Sequence, residues 1–145
     1  MNNTVYHTPV MLAECMDALA IKPDGIYVDV TFGGGGHSKE ILKNLSTGHL
    51  YSFDQDADAA ANAEKIDSEN FTFIPANFRY LKKFLKLNGI TKVDGILADL
   101  GVSSHQFDTA DRGFSIRFDG ELDMRMNQQA GVLAKDVLNT YSQND

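Results

Sequence analysis

Four short strand-like runs recur before residue 100: IYVDV at 26–30, LYSF at 50–53, FTFI at 71–74 and the apolar GILA at 95–98. Helical periodicity fills the gaps between them. Leu12, Cys15, Met16 and Leu19 fall on one helical face, and Thr8-Pro9 ahead of them predicts a capped start with proline in the first turn. A second helical pattern runs from Ser38 through Ile41, Leu42 and Leu45 and stops near Gly48. Residues 57–66 are alanine-rich and 78–87 alternate apolar and basic positions at helical spacing, ending before Asn88-Gly89. Short strands separated by helices imply βαβ units, hence an α/β fold with a parallel sheet covered on both faces. With strand order 3-2-1-4 the fourth run becomes an open apolar edge, which predicts self-association through that edge. A doubly wound fold adds further strands beyond the first on that side, so the sequence reads as the first half of something longer. Residues 101–128, rich in Gly, Ser, Asp and Arg, show no clear periodicity, and a last helix is expected over 132–141.

Composition narrows the class. The chain is 43% hydrophobic and 23% charged, as an ordinary globular domain is. Its lone cysteine, Cys15, excludes an internal disulfide and makes a reducing cytoplasm the expected compartment. The first ten residues carry no basic-then-apolar leader, and no apolar stretch reaches the length of a membrane span. A net charge of −7 weighs against the whole surface being a nucleic-acid platform, while leaving room for a local basic patch.

The run TFGGGGHS (31–38) closes the first strand and opens a helix. The P-loop pattern requires a Gly-Lys-Ser/Thr ending, which Ser38 and Lys39 do not supply. The dinucleotide pattern G-x-G-x-x-G is met at Gly33 and Gly35, but Ser38 stands at the third position. An acidic residue ending the second strand, about 20 residues further on, is where a carboxylate binds ribose hydroxyls, and Asp54 stands there. This pairing suits an adenosine ligand, NAD or S-adenosylmethionine alike. A second carboxylate, Asp99, ends the fourth run at the same sheet edge. A methyltransferase acting on an amine has use for an acceptor there; a nicotinamide enzyme has no particular need of one.

HTPVML (7–12), TFGGGGHS (31–38), FDQD (53–56), NF (77–78), DLGVSSHQFD (99–108), RGFS (112–115) and LDMRM (122–126) together closely resemble the MraW-type methyltransferases. The resemblance implies a Rossmann-like S-adenosylmethionine-dependent methyltransferase fold, of which this chain holds the first four strands. It implies methyl transfer to the exocyclic N4 of a cytidine in small-subunit ribosomal RNA. By the same resemblance, Gly35, Gly36 and His37 would contact the amino-acid end of the cofactor, Asp54 the ribose and Phe78 the adenine. Asp99 and Gln106 would lie near the methionine and the transfer site, with Asp99 the catalytic acceptor. Residues 1–106 would form the N-terminal half of the cofactor domain and 107–145 the start of a substrate-recognition insert. Family chains are about twice as long, so an inert, truncated cofactor-binding module is an alternative, as is an NAD-type oxidoreductase domain.

Competing readings accompany several of these residues. The glycines could form a turn and nothing more, and the His37 side chain could be an ordinary polar group at a helix start. Phe78 could pack in the core on one helical face with Leu81 and Leu85. Arg79, Lys82, Lys83, Lys86 and Lys92 read first as the solvated face of an amphipathic helix, with RNA phosphate as the alternative. Arg112, Arg117 and Arg125 suit substrate contacts or structural ion pairs, and Met124 and Met126 suit packing. His7 has no partners at metal-ligand spacing, so no metal is expected.

Overall fold

A computed structural model of the chain describes residues 9–145. The chain divides into two compact units at the Asp99–Leu100 junction. In the first, β1 (Ile26–Asp29), β2 (His49–Phe53), β3 (Phe71–Ile74) and β4 (Gly95–Leu97) form one sheet in the order β3-β2-β1-β4. Every pairing is parallel; Asp29 lies level with Ser52 on one side and with Leu97 on the other. The connections are α1 (Leu12–Leu19) ahead of the sheet, α2 (Gly36–Asn44), α3 (Ala57–Ala63) and α4 (Leu81–Leu87). The expected strand order and parallel α/β architecture are those observed.

Strand side chains alternate between the two faces, and the core follows that alternation. Tyr27 and Leu50 pack with Ile41, Met16, Leu19 and Leu45 from α1, α2 and the turn after it. Val28, Tyr51 and Phe53 point the other way, onto Leu81, Phe84 and Leu85 of α4. Phe32 gathers Ala59 and Ala63 of α3 with Phe71 and Phe73. Both sheet faces are therefore covered, which is why the strands are apolar almost throughout. The half-buried positions of α1 are Leu12, Cys15, Met16 and Leu19, the expected stripe. At the β4 edge Ile96 stays 49% exposed.

Several element starts differ from expectation. α1 begins at Leu12, after a left-handed Met11 with no side-chain cap, rather than at Pro9; Thr8 lies outside the described residues. Pro9 packs on the glycine loop instead, close enough that a Cβ on Gly36 would stand 2.2 Å from its Cγ. α2 starts at Gly36, two residues before Ser38, because the left-handed Gly35 (φ 76°) turns the chain into the helix. Residues Phe78–Tyr80 form a 3-10 turn that breaks phase with α4, so Phe78 is 45% exposed while Leu81 and Leu85 pack inward. That corrects the core-packing reading of Phe78. α3 ends at Ala63 rather than Ile66.

In the second unit, α5 (Ser104–Asp108) occupies sequence without evident periodicity. It is only five residues long and rests on a capping box: Ser103 Oγ accepts from Gln106 N, and Gln106 Oε1 accepts from Ser103 N. α6 (Ala134–Thr140) is the last helix, slightly shorter than expected. The segments RGFS and LDMRM meet here. Arg112 is buried and donates to the carbonyl oxygens of Arg125 and Met126, both at 3.2 Å, and Met124 N donates to Arg112 O. Arg125 clasps Asp123 with two bonds of 2.8 Å, and this guanidinium pulls the Asp123 carboxyl down to about 2. Arg112 thus ties the two segments together and Arg125 fixes the local turn at Asp123, whereas Arg117 is exposed.

Gly113 sits where these segments cross, at φ 73°, and an added Cβ would stand 2.5 Å from Asp123 N and 2.6 Å from Glu121 O. Gly89 has nearly the same φ, 75°, with nothing within 4 Å of that point. Gly89→Ala is expected to cost about 1 kcal/mol of backbone strain. Gly113→Ala should cost about 2–4 kcal/mol, because the backbone it strikes cannot yield. Urea denaturation of both variants, followed by circular dichroism, reads the difference; equal costs would show that the crossing is not tightly packed.

Candidate functional site

Parallel strands direct all their C-terminal ends to one sheet edge, and ligands of open α/β sheets bind outside that edge. The loop after β1 carries the glycines, Asp54 directly follows β2, Asn77 and Phe78 follow β3, and Asp99 follows β4. The topology alone therefore brings these separate stretches of sequence to one rim.

The loop after β1 is anchored from below. Asp29, the last residue of β1, is fully buried. One carboxylate oxygen accepts from Thr31 N at 3.0 Å, the other from Ser38 Oγ at 2.7 Å. Ser38 Oγ in turn lies 2.8 Å from Ser52 Oγ on β2. Burial pushes the Asp29 carboxyl up, against the opposing pull of the Ser38 and Thr31 hydrogen bonds. Ser38 is thus the serine that replaces the third glycine of the dinucleotide pattern, and its hydroxyl is spent on Asp29 beneath the loop. Sequence reasoning did not single out Asp29, Ser38 or Ser52 as a unit. The available signal was a carboxylate inside an otherwise apolar strand.

From above, the loop is tied to Asp54. Gly33 N donates to one carboxylate oxygen at 2.8 Å, and Asp56 N to the other at 3.0 Å. Burial raises the Asp54 carboxyl, and the amides of Asp56 and Gly33 oppose that rise. Gly33 is left-handed (φ 52°), and a Cβ there would meet nothing within 4 Å, so open space lies over it. Gly35, at φ 76°, leaves no such room: a Cβ would stand 2.7 Å from the Phe32 ring. α2 then begins at Gly36, and its first amides have no acceptor within the helix. The His37 ring is buried, with Nε2 at 3.3 Å from Val10 O.

Two further links close the rim. Asn77 donates to Gln55 Oε1 at 3.1 Å and caps the 3-10 turn by accepting from Arg79 N, setting Phe78 half-exposed beside the end of β2. Asp99 N donates to Thr31 Oγ1 at 2.7 Å, while the residue as a whole is exposed. Thr31 therefore couples the end of β4 to Asp29. Gly33, Gly35, Gly36, His37, Asp54, Phe78 and Asp99 all belong to this rim of the first unit. Gln106 belongs to the second unit, where it is buried, closes the α5 capping box and donates to Met126 Sδ at 3.3 Å. Among the described residues no group of three or more His, Cys, Asp or Glu side chains could hold a metal, and no helix is long and apolar enough to cross a membrane. His7 lies outside the described residues.

The profile described as the MraW methylase family matches residues 4–145. Among curated relatives, a ribosomal RNA small subunit methyltransferase H of Cytophaga hutchinsonii is 63% identical over 139 residues, covering 96% of this chain and 47% of the relative. The protein of the same description from Phocaeicola vulgatus is 61% identical over 140 residues, 96% of this chain and 45% of the relative. That from Bacteroides fragilis is 60% identical over 141 residues, 97% and 46% respectively. The chain spans about half the length of the curated relatives it matches.

Proposed function

Because the chain belongs to the MraW methylase family, we propose that its rim binds S-adenosylmethionine and serves methyl transfer to the exocyclic N4 of a cytidine in small-subunit ribosomal RNA, in the cytoplasm. The observation that carries this reading is the bond from Gly33 N to the Asp54 carboxylate, which sets a strand-end acid directly against the glycine loop. The residues present fit the cofactor. Asp54 is an acceptor at the strand end suited to ribose hydroxyls, and open space lies over Gly33. The first amides of α2, at Gly36 and His37, suit the methionine carboxylate. Half-exposed Phe78 offers a ring to the adenine.

When bound, the cofactor supplies an activated methyl on a sulfonium. The protein's task is alignment and acceptance of hydrogen bonds. The cytosine amine is a poor nucleophile because its lone pair is delocalised into the ring, so holding it in line with the methyl lowers the barrier. Asp99, fixed through its backbone to Thr31 and with its side chain at the exposed rim, is assigned to accept from the amine as the nitrogen becomes tetrahedral. The bound cofactor would supply the methyl to the amine nitrogen, keeping the electron pair of the broken S–C bond on sulfur, while Asp99 would hold the amine and one amine proton would pass to solvent. A base inside structured RNA must leave its stack to reach such a rim.

Labelled methyl transfer to small-subunit ribosomal RNA, followed by nucleoside analysis, tests the proposal. Label is expected in N4-methylcytidine, and Asp99→Ala should reduce turnover about 100-fold or more. Label in another nucleoside, or near-normal turnover in Asp99→Ala, contradicts the assignment. The second reading is a module that binds the cofactor without turnover. Methyl incorporation by the 145-residue chain excludes it.

A further inference from the structure

The chain carries 20 acidic and 13 basic residues, yet its charge is unevenly spread. Between Glu69 and Asp94 there is no acidic residue, while Arg79, Lys82, Lys83, Lys86 and Lys92 all fall in that interval. Four cations elsewhere are neutralised locally: Lys22 by Asp94, Lys43 by Glu40, Arg125 by Asp123 and Lys135 by Glu121. Among the described residues none of the five makes an ion pair, and all are exposed.

Helical spacing gathers three of them. Lys82, Lys83 and Lys86 lie in α4 at spacings that put Lys86 beside both of the others, and Arg79 stands in the 3-10 turn just ahead of them, while Leu81, Phe84 and Leu85 turn inward to the sheet. Arg79 to Lys86 spans about 10 Å along the axis, on the order of three phosphates of one nucleic-acid strand. The strip also carries two exposed rings, Phe78 at 45% and Tyr80 at 50%, with the Arg79 guanidinium 5.9 Å from the Tyr80 ring centre. Lysine and arginine beside exposed aromatics is the composition of single-strand nucleic-acid surfaces, where phosphates are neutralised and bases stack. An acidic protein partner would not call for the rings. The strip starts at the 3-10 turn that follows β3, next to Asn77, on the rim that holds the glycine loop and Asp54.

We propose that the Arg79–Lys86 face of the 3-10 turn and α4 is a docking strip for the backbone of single-stranded RNA, guiding the strand toward the rim. The strip deepens the methyltransferase reading and rests on it for the identity of the strand.

A labelled 12-nucleotide oligocytidylate, titrated with the 145-residue chain and followed by fluorescence anisotropy at several salt concentrations, tests the strip. In the triple variant Lys82→Gln/Lys83→Gln/Lys86→Gln, affinity should fall about tenfold or more, and the slope of log affinity against log salt should shrink by about 2. The control Lys22→Gln/Lys43→Gln/Lys135→Gln removes the same charge from paired positions and should change affinity less than twofold. Circular dichroism checks that both variants fold. Equal loss in variant and control, an unchanged slope, no RNA binding by the unsubstituted chain, or equally tight binding of polyglutamate would each overturn the proposal. S-adenosylmethionine binding, measured by calorimetry on the same triple variant, separates the two readings. RNA binding that depends on the strip without cofactor binding sinks the methyltransferase reading and leaves the strip. Cofactor binding with RNA affinity indifferent to the strip does the reverse.

Discussion

Replacing Asp54 by alanine is expected to weaken S-adenosylmethionine binding by about 100-fold or more. Two hydrogen bonds from ribose hydroxyls to a carboxylate are worth about 3 kcal/mol together at the low end for charged acceptors, and about 1.4 kcal/mol corresponds to a factor of ten. The same substitution removes the acceptor of Gly33 N and Asp56 N, so the loop loses its upper anchor as well. That second effect shows without ligand, as a stability loss of about 1–3 kcal/mol. Asp54→Asn separates them: it keeps one carbonyl oxygen and should weaken binding by about tenfold. Calorimetric titration of both variants makes the comparison. An Asp54→Ala chain that binds the cofactor within threefold of the unsubstituted one would remove Asp54 from the site.

Asp29 is the position where substitution should cost the fold most. Asp29→Ala strips acceptors from Thr31 N and Ser38 Oγ in a buried place and leaves a void, for an expected loss of about 3–5 kcal/mol. Asp29→Asn keeps the volume and removes the charge, and its effect should depend on pH. The folded-state carboxyl is raised by burial, so the folded state binds its proton more tightly than the unfolded chain does. The contribution of Asp29 to stability is therefore full below the unfolded value of about 3.9 and is lost as pH rises through the folded value. Relative to Asp29→Asn, the unsubstituted chain should be more stable at pH 4 than at pH 7.5. Urea denaturation at both values measures the gap. A gap that stays constant, or widens in favour of the unsubstituted chain as pH rises, would mean that Asp29 carries no such burial penalty.

The parallel sheet was legible because parallel strands buried on two faces must be apolar nearly throughout, and IYVDV, LYSF, FTFI and GILA stand out against the helices between them. Asp54 was legible for a related reason: the end of a strand is readable, and a carboxylate there has few purposes. Helix starts were less readable. A glycine ordinarily weighs against a helix, yet the left-handed Gly35 lets α2 begin at Gly36. α5 is too short for periodicity, and only the Ser103–Gln106 spacing marks it. The buried chain from Asp29 through Ser38 to Ser52 joins a strand, a helix and a second strand. No local pattern signals such a contact. Phe78 likewise looked like a member of the α4 face until the 3-10 turn rotated it outward. In the second unit, the burial of Arg112 against the carbonyls of 125 and 126 depends on two segments crossing, which their sequences alone do not announce.

The glycine loop and Asp54 form one adenosine site on this reading, and its ligand is a sulfonium amino acid rather than a dinucleotide. Isothermal calorimetry of the 145-residue chain with S-adenosylmethionine and, separately, with NAD decides between the two. Saturable binding of S-adenosylmethionine, abolished by Asp54→Ala, with no heat from NAD, is the expected result. Saturable NAD binding that depends on Asp54, with none of S-adenosylmethionine, would contradict the account.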